Sequence, residues 1–207
     1  MADDIVLTEE EQAERLKAWW KDNGTSIVVG AAIGLSAIAG YNYWQDQRNQ
    51  AMEQASSGYM RLLEAIRIPD SAKSRELSAS ILNEYGETVY GAKAALIQAK
   101  LQADSGELDE ALESLILAKE IANEPGLVHV ANLRMIRIYL EQGEFQQAQA
   151  TVVVAANART GFESQYRELE GEIAFAQGDI SMARQKYIEA LASLGSDPAY
   201  AGVLQLK

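Results

Sequence analysis

The most distinctive feature of the hydrophobic pattern is a 23-residue run, 23–45, that contains no charged side chain. Within it, residues 25–44 are mostly apolar or small, and twenty helical residues span about 30 Å, roughly the thickness of a bilayer's hydrocarbon core. Aromatic side chains flank this stretch on both sides, which is typical of the two membrane–water interfaces. They are Trp19, Trp20, Tyr41, Tyr43 and Trp44. The pattern therefore predicts one transmembrane helix over 25–44.

Two other interpretations of this stretch stay open. Ala37 and Ala39 have the small-residue spacing that precedes a signal-peptide cleavage site. However, the 24 residues before the stretch carry seven acids against three bases, whereas signal peptides begin with a short positive segment. The other interpretation is a core helix of a soluble protein, although such a helix would normally carry charge on one face over this length. We predict an uncleaved anchor.

The positions of lysine and arginine orient this anchor. Arg15, Lys17 and Lys21 lie shortly before the helix, and the only base between its end and Arg61 is Arg48. Because basic residues stay preferentially on the cytoplasmic side, we expect the N-terminus in the cytoplasm and the C-terminal part across the membrane.

Gly30 and Gly34 form a G-x-x-x-G spacing inside the predicted anchor. Small residues four positions apart lie on one helix face and let a second helix approach closely. We predict a packing site for another membrane helix at this face, although glycine is also common in membrane helices for no specific reason.

After the anchor, three short passages share one pattern: glycine, an acid, a large apolar residue, two variable residues and alanine. They begin at Gly106, Gly143 and Gly178, which are 37 and 35 residues apart. This period is close to the 34 residues of helix–turn–helix repeats. We expect each glycine to end one helix in the left-handed conformation and each acid to begin the next, where the helix dipole favours negative charge.

The remaining positions of the pattern predict how the paired helices pack. The large apolar residue should cover the turn, and the alanine should lie where two helices cross too closely for a larger side chain. Further apolar partners follow each alanine at four and seven residues, which continues one buried helix face. They are Leu115 and Ala118, Val152 and Ala155, and Tyr187 and Ala190; in the first helices, Ala99, Ile136 and Gly171 take the close-packed position.

These residues resemble tetratricopeptide repeats, with repeats at about 92–125, 129–162 and 164–198. The family's tryptophan is replaced by Ala95, Asn132 and Arg167, so the signature is degenerate. The predicted fold class is all-α: a single N-terminal transmembrane helix followed by a helical-hairpin solenoid. Its predicted parts are a cytoplasmic segment 1–24, the transmembrane helix 25–44, a linking helix (45–67) and atypical first hairpin over 45–91, and a repeat domain 92–207 whose tail, 199–207, caps the array.

Composition limits the chemistry that this chain can perform. The formal charge is −12, so no basic excess exists to displace phosphate counterions, and we predict no nucleic-acid binding. There is no cysteine and one histidine, His129, which we expect at the surface or between repeats. Thiolate or histidine metal clusters are therefore excluded, and no phosphate-binding or calcium-binding loop is present. We predict no catalytic residue, no metal and no cofactor.

Binding is the natural use of such a repeat array, because its stacked first helices line a concave groove. The family's groove positions, carried over residue by residue, give an apolar strip with charges of both signs beside it, which suits an apolar segment of a partner. The alternative is that the helix at 45–67 fills this groove. The predicted groove residues are Leu96, Lys100, Leu133, Arg137, Leu140, Glu168, Glu172 and Phe175.

The features taken together indicate a more specific family than the tetratricopeptide repeats in general. The acidic stretch TEEEQAERLKAWWKDNG, the exit sequence GYNYW, a linking helix and a degenerate repeat array resemble the YfgM-like family, the ancillary subunits of the Sec translocon in Gram-negative inner membranes. The resemblance covers essentially the whole chain and is most specific from Glu10 to Trp44. It implies a single-pass inner-membrane protein with a cytoplasmic N-terminus and a periplasmic repeat domain.

The resemblance also implies partners and a role. The partners are the SecYEG translocon, a membrane-anchored periplasmic chaperone of the prolyl-isomerase type, and nascent exported proteins. The implied role is non-enzymatic: to pass newly translocated chains to periplasmic chaperones, with a link to stress-response regulation through the cytoplasmic end. Two alternatives stay open, an assembly scaffold for another envelope complex and a secreted soluble repeat module.

Overall fold

The computed structural model describes residues 8–67, 71–155 and 161–194, and every regular element in these ranges is a helix. The predicted all-α class is therefore confirmed. The chain forms two compact units, 1–51 and 52–207. The helices are α1 (Glu9–Arg67), α2 (Ser71–Tyr85), α3 (Val89–Asp104), α4 (Leu108–Ile121), α5 (Pro125–Gln142), α6 (Phe145–Val154), α7 (Glu163–Ala176) and α8 (Ile180–Ala192).

The first helix begins at a capping box. The backbone N–H of Thr8 donates to Glu11 Oε2 at 3.1 Å, and the N–H of Glu11 donates to Thr8 Oγ1 at 3.5 Å, so both ends of the box satisfy free backbone groups. From there α1 continues without interruption to Arg67. The predicted boundaries at 24/25 and 44/45 therefore fall inside one helix, and the linking helix 45–67 is not a separate element.

The C-terminal part of α1 packs with α2 and α3, as expected of an atypical first hairpin. Leu62, Ile81 and Ala94 form a buried apolar cluster between these three helices. A hydrogen bond of 2.9 Å from the Tyr85 hydroxyl to Gln54 Oε1 joins α2 to α1 at the edge of this cluster. Pro69, which separates the two helices in the sequence, lies outside the described residues.

Three helical hairpins follow, α3–α4, α5–α6 and α7–α8, each at one of the predicted repeats. The turn glycines Gly106, Gly143 and Gly178 have φ of 80°, 74° and 84°, so the predicted left-handed conformation is confirmed at all three. At Gly143, the N–H groups of Gly143 and Glu144 donate to the carbonyls of Leu140 (3.1 Å) and Tyr139 (2.7 Å). These bonds satisfy the carbonyls at the end of α5, which otherwise have no partner inside the helix.

This turn geometry makes a prediction for Gly143. The Gly143→Ala substitution is expected to lower the free energy of unfolding by about 1 kcal/mol, because an L side chain is strained at this positive φ although the space is open. Gly126→Ala is the matched control: Gly126 lies near the start of α5 with equally open space, and its φ is not positive. Thermal unfolding of the full chain in detergent, followed by circular dichroism, should show a loss only for Gly143→Ala.

The alanines of the pattern lie in the core, as predicted. Ala111 and Ala148 are completely buried and Ala183 is nearly so. The predicted partners at four and seven residues are also buried, except that Tyr187 is half-buried. Two larger clusters join neighbouring repeats: one connects α3, α4 and α5, and the other connects α5, α6 and α7. The array is thus held together by side chains shared between successive hairpins.

Two details of the turns differ from the prediction. Among the three acids, only Asp179 caps its helix with its side chain, through a 2.9 Å bond from the Met182 N–H. Glu107 instead accepts from Arg75 of α2 at 2.9 Å, which ties the first hairpin to the first repeat. The apolar residue after the third acid, Ile180, is 59% exposed, so it does not cover its turn within the described residues. The predicted C-terminal cap, 199–207, lies outside those residues.

Candidate functional site

The apolar stretch of α1 is exposed over nearly its whole length. Among the described helices, α1 is the one that is long and apolar enough to cross a membrane, and only 6% of its most apolar window is buried. The flanking aromatic side chains of Trp19, Trp20, Tyr41, Tyr43 and Trp44 are exposed as well. This exposure does not fit a buried core helix of a soluble protein.

The two glycines predicted to pack against another helix lie on an open face of α1. A Cβ atom built on Gly30 or Gly34 would have no neighbour within 4 Å. Gly24 is different, because a Cβ atom built on it would lie 3.1 Å from the Trp20 ring. The face of Gly30 and Gly34 is therefore available to a second helix, and a larger residue there would not disturb the chain itself.

Two of the predicted groove residues belong to the repeat core. Leu96 and Leu133 are each only 6% exposed. Leu96 lies in a cluster that also contains Met135 of the following first helix, and Leu133 lies in one that contains Tyr166 of the next. The structure therefore corrects the predicted apolar strip at these two positions, because the next repeat covers them.

The remaining predicted groove residues are divided between core and surface. Leu140 is half-buried against the second cluster, whereas Phe175 is 62% exposed. Lys100 is exposed and pairs with Asp104 on its own helix. Glu168 is buried and Glu172 is half-buried, while Arg137 is exposed. The exposed predicted positions thus do not form one continuous apolar surface.

A connected set of side chains that the sequence analysis did not identify lies beside Arg137. The Tyr59 and Tyr90 rings are 5.7 Å apart between centroids, and Lys93 Nζ is 5.5 Å from the Tyr90 centroid. Arg134 donates from Nη1 to the Leu96 carbonyl at 2.7 Å, so its guanidinium is fixed between α3 and α5. We call Tyr59, Tyr90, Lys93, Arg134 and Arg137 the cationic row.

Two pKa shifts describe the environment of this row. Burial raises the pKa of the Tyr59 hydroxyl, and the nearby Arg134 charge only partly opposes this. Burial also lowers the pKa of Arg134, and the neighbouring charge of Arg137 lowers it further. The row thus combines two guanidinium groups, three residues apart on α5, with a phenol of α1.

The cationic row also bears on whether α1 occupies the groove. Tyr59 belongs to the 45–67 segment, and its ring contacts that of Tyr90 of α3. Part of this segment therefore lies against the first repeat. Among the predicted groove residues, Lys100, Arg137 and Phe175 are exposed.

His129 lies between repeats, which is one of the two positions that the sequence predicted for it. It is 5% exposed, its Nδ1 lies 3.0 Å from the Tyr166 hydroxyl, and its ring stacks on Phe162 at 4.8 Å between centroids. These contacts connect α5 to α7 and its preceding turn. Its neighbours make it a packing residue of the junction between the second and third repeats.

The fold and these surfaces define the class, a helical-hairpin repeat protein with one exposed apolar helix. A family comparison agrees: the model of the tetratricopeptide repeat-like domain matches residues 17–207. The chain therefore belongs to the tetratricopeptide repeat-like family.

Three relatives indicate a more specific group within this family, because each is named an ancillary SecYEG translocon subunit. The Haemophilus influenzae protein is 26% identical over 184 residues, covering 89% of both chains. The Aggregatibacter actinomycetemcomitans protein is 27% identical over 191 residues, covering 92% of both. The Escherichia coli K12 protein is 28% identical over 207 residues, covering 99% of this chain and 97% of the relative. The resemblance to the YfgM-like family is thereby confirmed.

Proposed function

We propose that this protein is a non-enzymatic, membrane-anchored repeat scaffold of the Sec translocon, and that it helps transfer newly exported proteins to periplasmic chaperones. The observation that carries the proposal is the nearly full-length match to relatives named as ancillary SecYEG translocon subunits. The Escherichia coli match covers 99% of this chain, so it includes both the exposed apolar helix and the repeat array.

The proposed topology follows from the basic residues around the apolar stretch. The helix crosses the inner membrane once, with Arg15, Lys17 and Lys21 on the cytoplasmic side and the repeats in the periplasm. The open face of Gly30 and Gly34 then lies inside the bilayer, where close backbone approach is a main source of helix association. We assign this face to lateral docking against a membrane helix of the translocon.

The repeat array supplies the second contact. Its partners in this proposal are a membrane-anchored chaperone of the prolyl-isomerase type and the emerging exported chain. Because the anchor holds the array beside its partners, the high effective concentration makes weak contacts sufficient. A regulatory contact from the cytoplasmic end, relevant to stress responses, is a further part of the same proposal.

The test is purification of the tagged full chain in mild detergent, followed by measurement of the SecYEG recovered with it. We expect SecYEG and the chaperone with the unmodified chain, and a loss of most SecYEG with Gly30→Leu combined with Gly34→Leu, because the added side chains separate the helices. Ala32→Leu with Ser36→Leu is the matched control, since it has the same spacing on a different helix face.

The outcomes separate the two parts of the proposal. If the unmodified chain recovers no SecYEG but recovers another envelope complex, the Sec association is wrong and a different assembly role replaces it. If both double variants recover as much SecYEG as the unmodified chain, the association stands and the assignment of the glycine face is wrong.

A further inference from the structure

The cationic row is a contiguous set of hydrogen-bond donors from three helices. Tyr59 comes from α1, Tyr90 and Lys93 from α3, and Arg134 and Arg137 from α5. The links between them are the Tyr59–Tyr90 ring contact, the position of Lys93 over Tyr90, the bond from Arg134 to the Leu96 carbonyl one helical turn after Lys93, and the three-residue spacing of Arg134 and Arg137 on α5. Residues distant in sequence thus converge where α1, α3 and α5 meet.

These cations lack acidic partners. Within residues 8–67, 71–155 and 161–194, Lys93, Arg134 and Arg137 have no carboxylate oxygen within 4.0 Å. Bases elsewhere in the C-terminal unit do have such partners, including Arg75 with Glu107 and Lys186 with Glu170. An excess of positive charge at one place contrasts with the formal charge of −12 for the whole chain.

Arg134 and Arg137 are three residues apart on α5, so two like charges occupy neighbouring positions on one helix. Arg134 is held in place by its bond to the Leu96 carbonyl, which uses one of its five N–H donors. Arg137 is exposed beside it. A bound carboxylate would offset the repulsion and would accept the free donors, and a forked guanidinium matches a carboxylate with two parallel hydrogen bonds.

We propose that the cationic row binds an acidic segment of a partner protein, with carboxylates on Arg134 and Arg137 and the segment continuing over Tyr59 and Tyr90 toward Lys93. The inference rests on the proposed use of the repeat array for protein binding and names the chemistry of the bound segment. A short acidic peptide is favoured over nucleic acid because the row has only three cations, and the net negative charge of the chain repels a long polyanion that extends past them. The Tyr59 and Tyr90 hydroxyls add donors to the same carboxylates.

The test measures fluorescence polarisation of labelled peptides with the full chain in phosphatidylcholine nanodiscs. The probes are a synthetic peptide of alternating glutamate and serine, and a matched peptide of alternating glutamine and serine. We expect the glutamate peptide to bind at least about tenfold more tightly, since a hydrogen bond to a charged group contributes more than a neutral one. This preference should weaken as salt is added.

Variants locate the binding. Arg134→Gln combined with Arg137→Gln should weaken glutamate-peptide binding at least about tenfold, and Arg137→Gln should weaken it on its own. Because Arg137 is exposed, its replacement leaves the fold intact and keeps the test valid if the double variant is unstable. Arg184→Gln, an equal change of charge on the exposed surface of α8, should bind like the unmodified chain.

Three results would overturn the inference: equal affinity for the two peptides, an equal loss in Arg184→Gln, or flotation with phosphatidylglycerol vesicles without glutamate-peptide binding. The last would assign the row to a lipid headgroup. If the peptide does not bind but the chain still recovers SecYEG from detergent extracts, the inference fails and the proposed function stands.

Discussion

Replacing Tyr166 with alanine is expected to lower the free energy of unfolding by about 3–5 kcal/mol, the range for removing a large aromatic side chain from a core. Tyr166 is completely buried in the cluster that joins the second and third repeats. Its hydroxyl lies 3.0 Å from His129 Nδ1, and its ring meets the His129 ring edge-on. The substitution therefore leaves both a cavity and a buried histidine without this partner.

The effect should be local in the chain, because repeat arrays are stabilised by interfaces between neighbours. Hydrogen exchange of the full chain in detergent should show lost amide protection in α7 and α8, with protection kept in α3 and α4. Tyr166→Phe is the matched control, since it keeps the ring and removes only the hydroxyl, and should cost about 1–3 kcal/mol. Equal protection in all helices of the Tyr166→Ala protein would contradict this account of the junction.

Replacing Gly91 with alanine is expected to cost about 2–3 kcal/mol, because the added methyl group meets backbone rather than a movable side chain. A Cβ on Gly91 would have the carbonyl oxygen of Gly86 as its nearest neighbour, well inside contact distance. The Gly91 N–H also donates to Thr88 Oγ1 at 3.2 Å, the side-chain cap of α3. Relief of the clash would therefore move both the turn before α3 and its cap.

Thermal unfolding of the full chain in detergent is the measurement for Gly91→Ala, with Gly126→Ala as the reference. At Gly126 the same methyl group would enter open space in a helix, where alanine is favoured over glycine by up to about 1 kcal/mol. The two variants should consequently move the unfolding temperature in opposite directions. A Gly91→Ala protein as stable as the Gly126→Ala protein would show that the turn relaxes without cost.

Much of the fold could be predicted from local pattern. The three turn glycines require a left-handed backbone, and their nearly constant period places a helical hairpin around each of them, so helices α3 to α8 followed from spacing. The sequence did not predict that α1 is a single continuous helix. Aromatic and charged residues at the ends of the apolar stretch indicate where the membrane–water interfaces lie, but they do not end a helix. The role of Glu107 was also missed, since its partner Arg75 lies 32 positions away.

The candidate surface was less predictable than the fold. Leu96 and Leu133 occupy groove positions of the repeat family, yet their burial depends on how closely the next hairpin packs, which periodicity does not reveal. The cationic row requires Tyr59 of α1 to lie beside side chains of α3 and α5, a long-range arrangement. One signal was present in the sequence: Lys93, Lys100, Arg134 and Arg137 all fall on the first helices of repeats one and two in an otherwise acidic chain.

The glycine turns have a consequence for how the chain acquires its structure. Each hairpin closes with backbone bonds only a few residues long, such as those from Glu107 to Gln102 and from Asp179 to Ala174. Contacts between residues so near in the sequence form quickly and need no distant part of the chain. A chain that emerges N-terminus first, from a ribosome or a pore, can therefore fold vectorially: α3 and α4 can pair while α7 and α8 have yet to emerge.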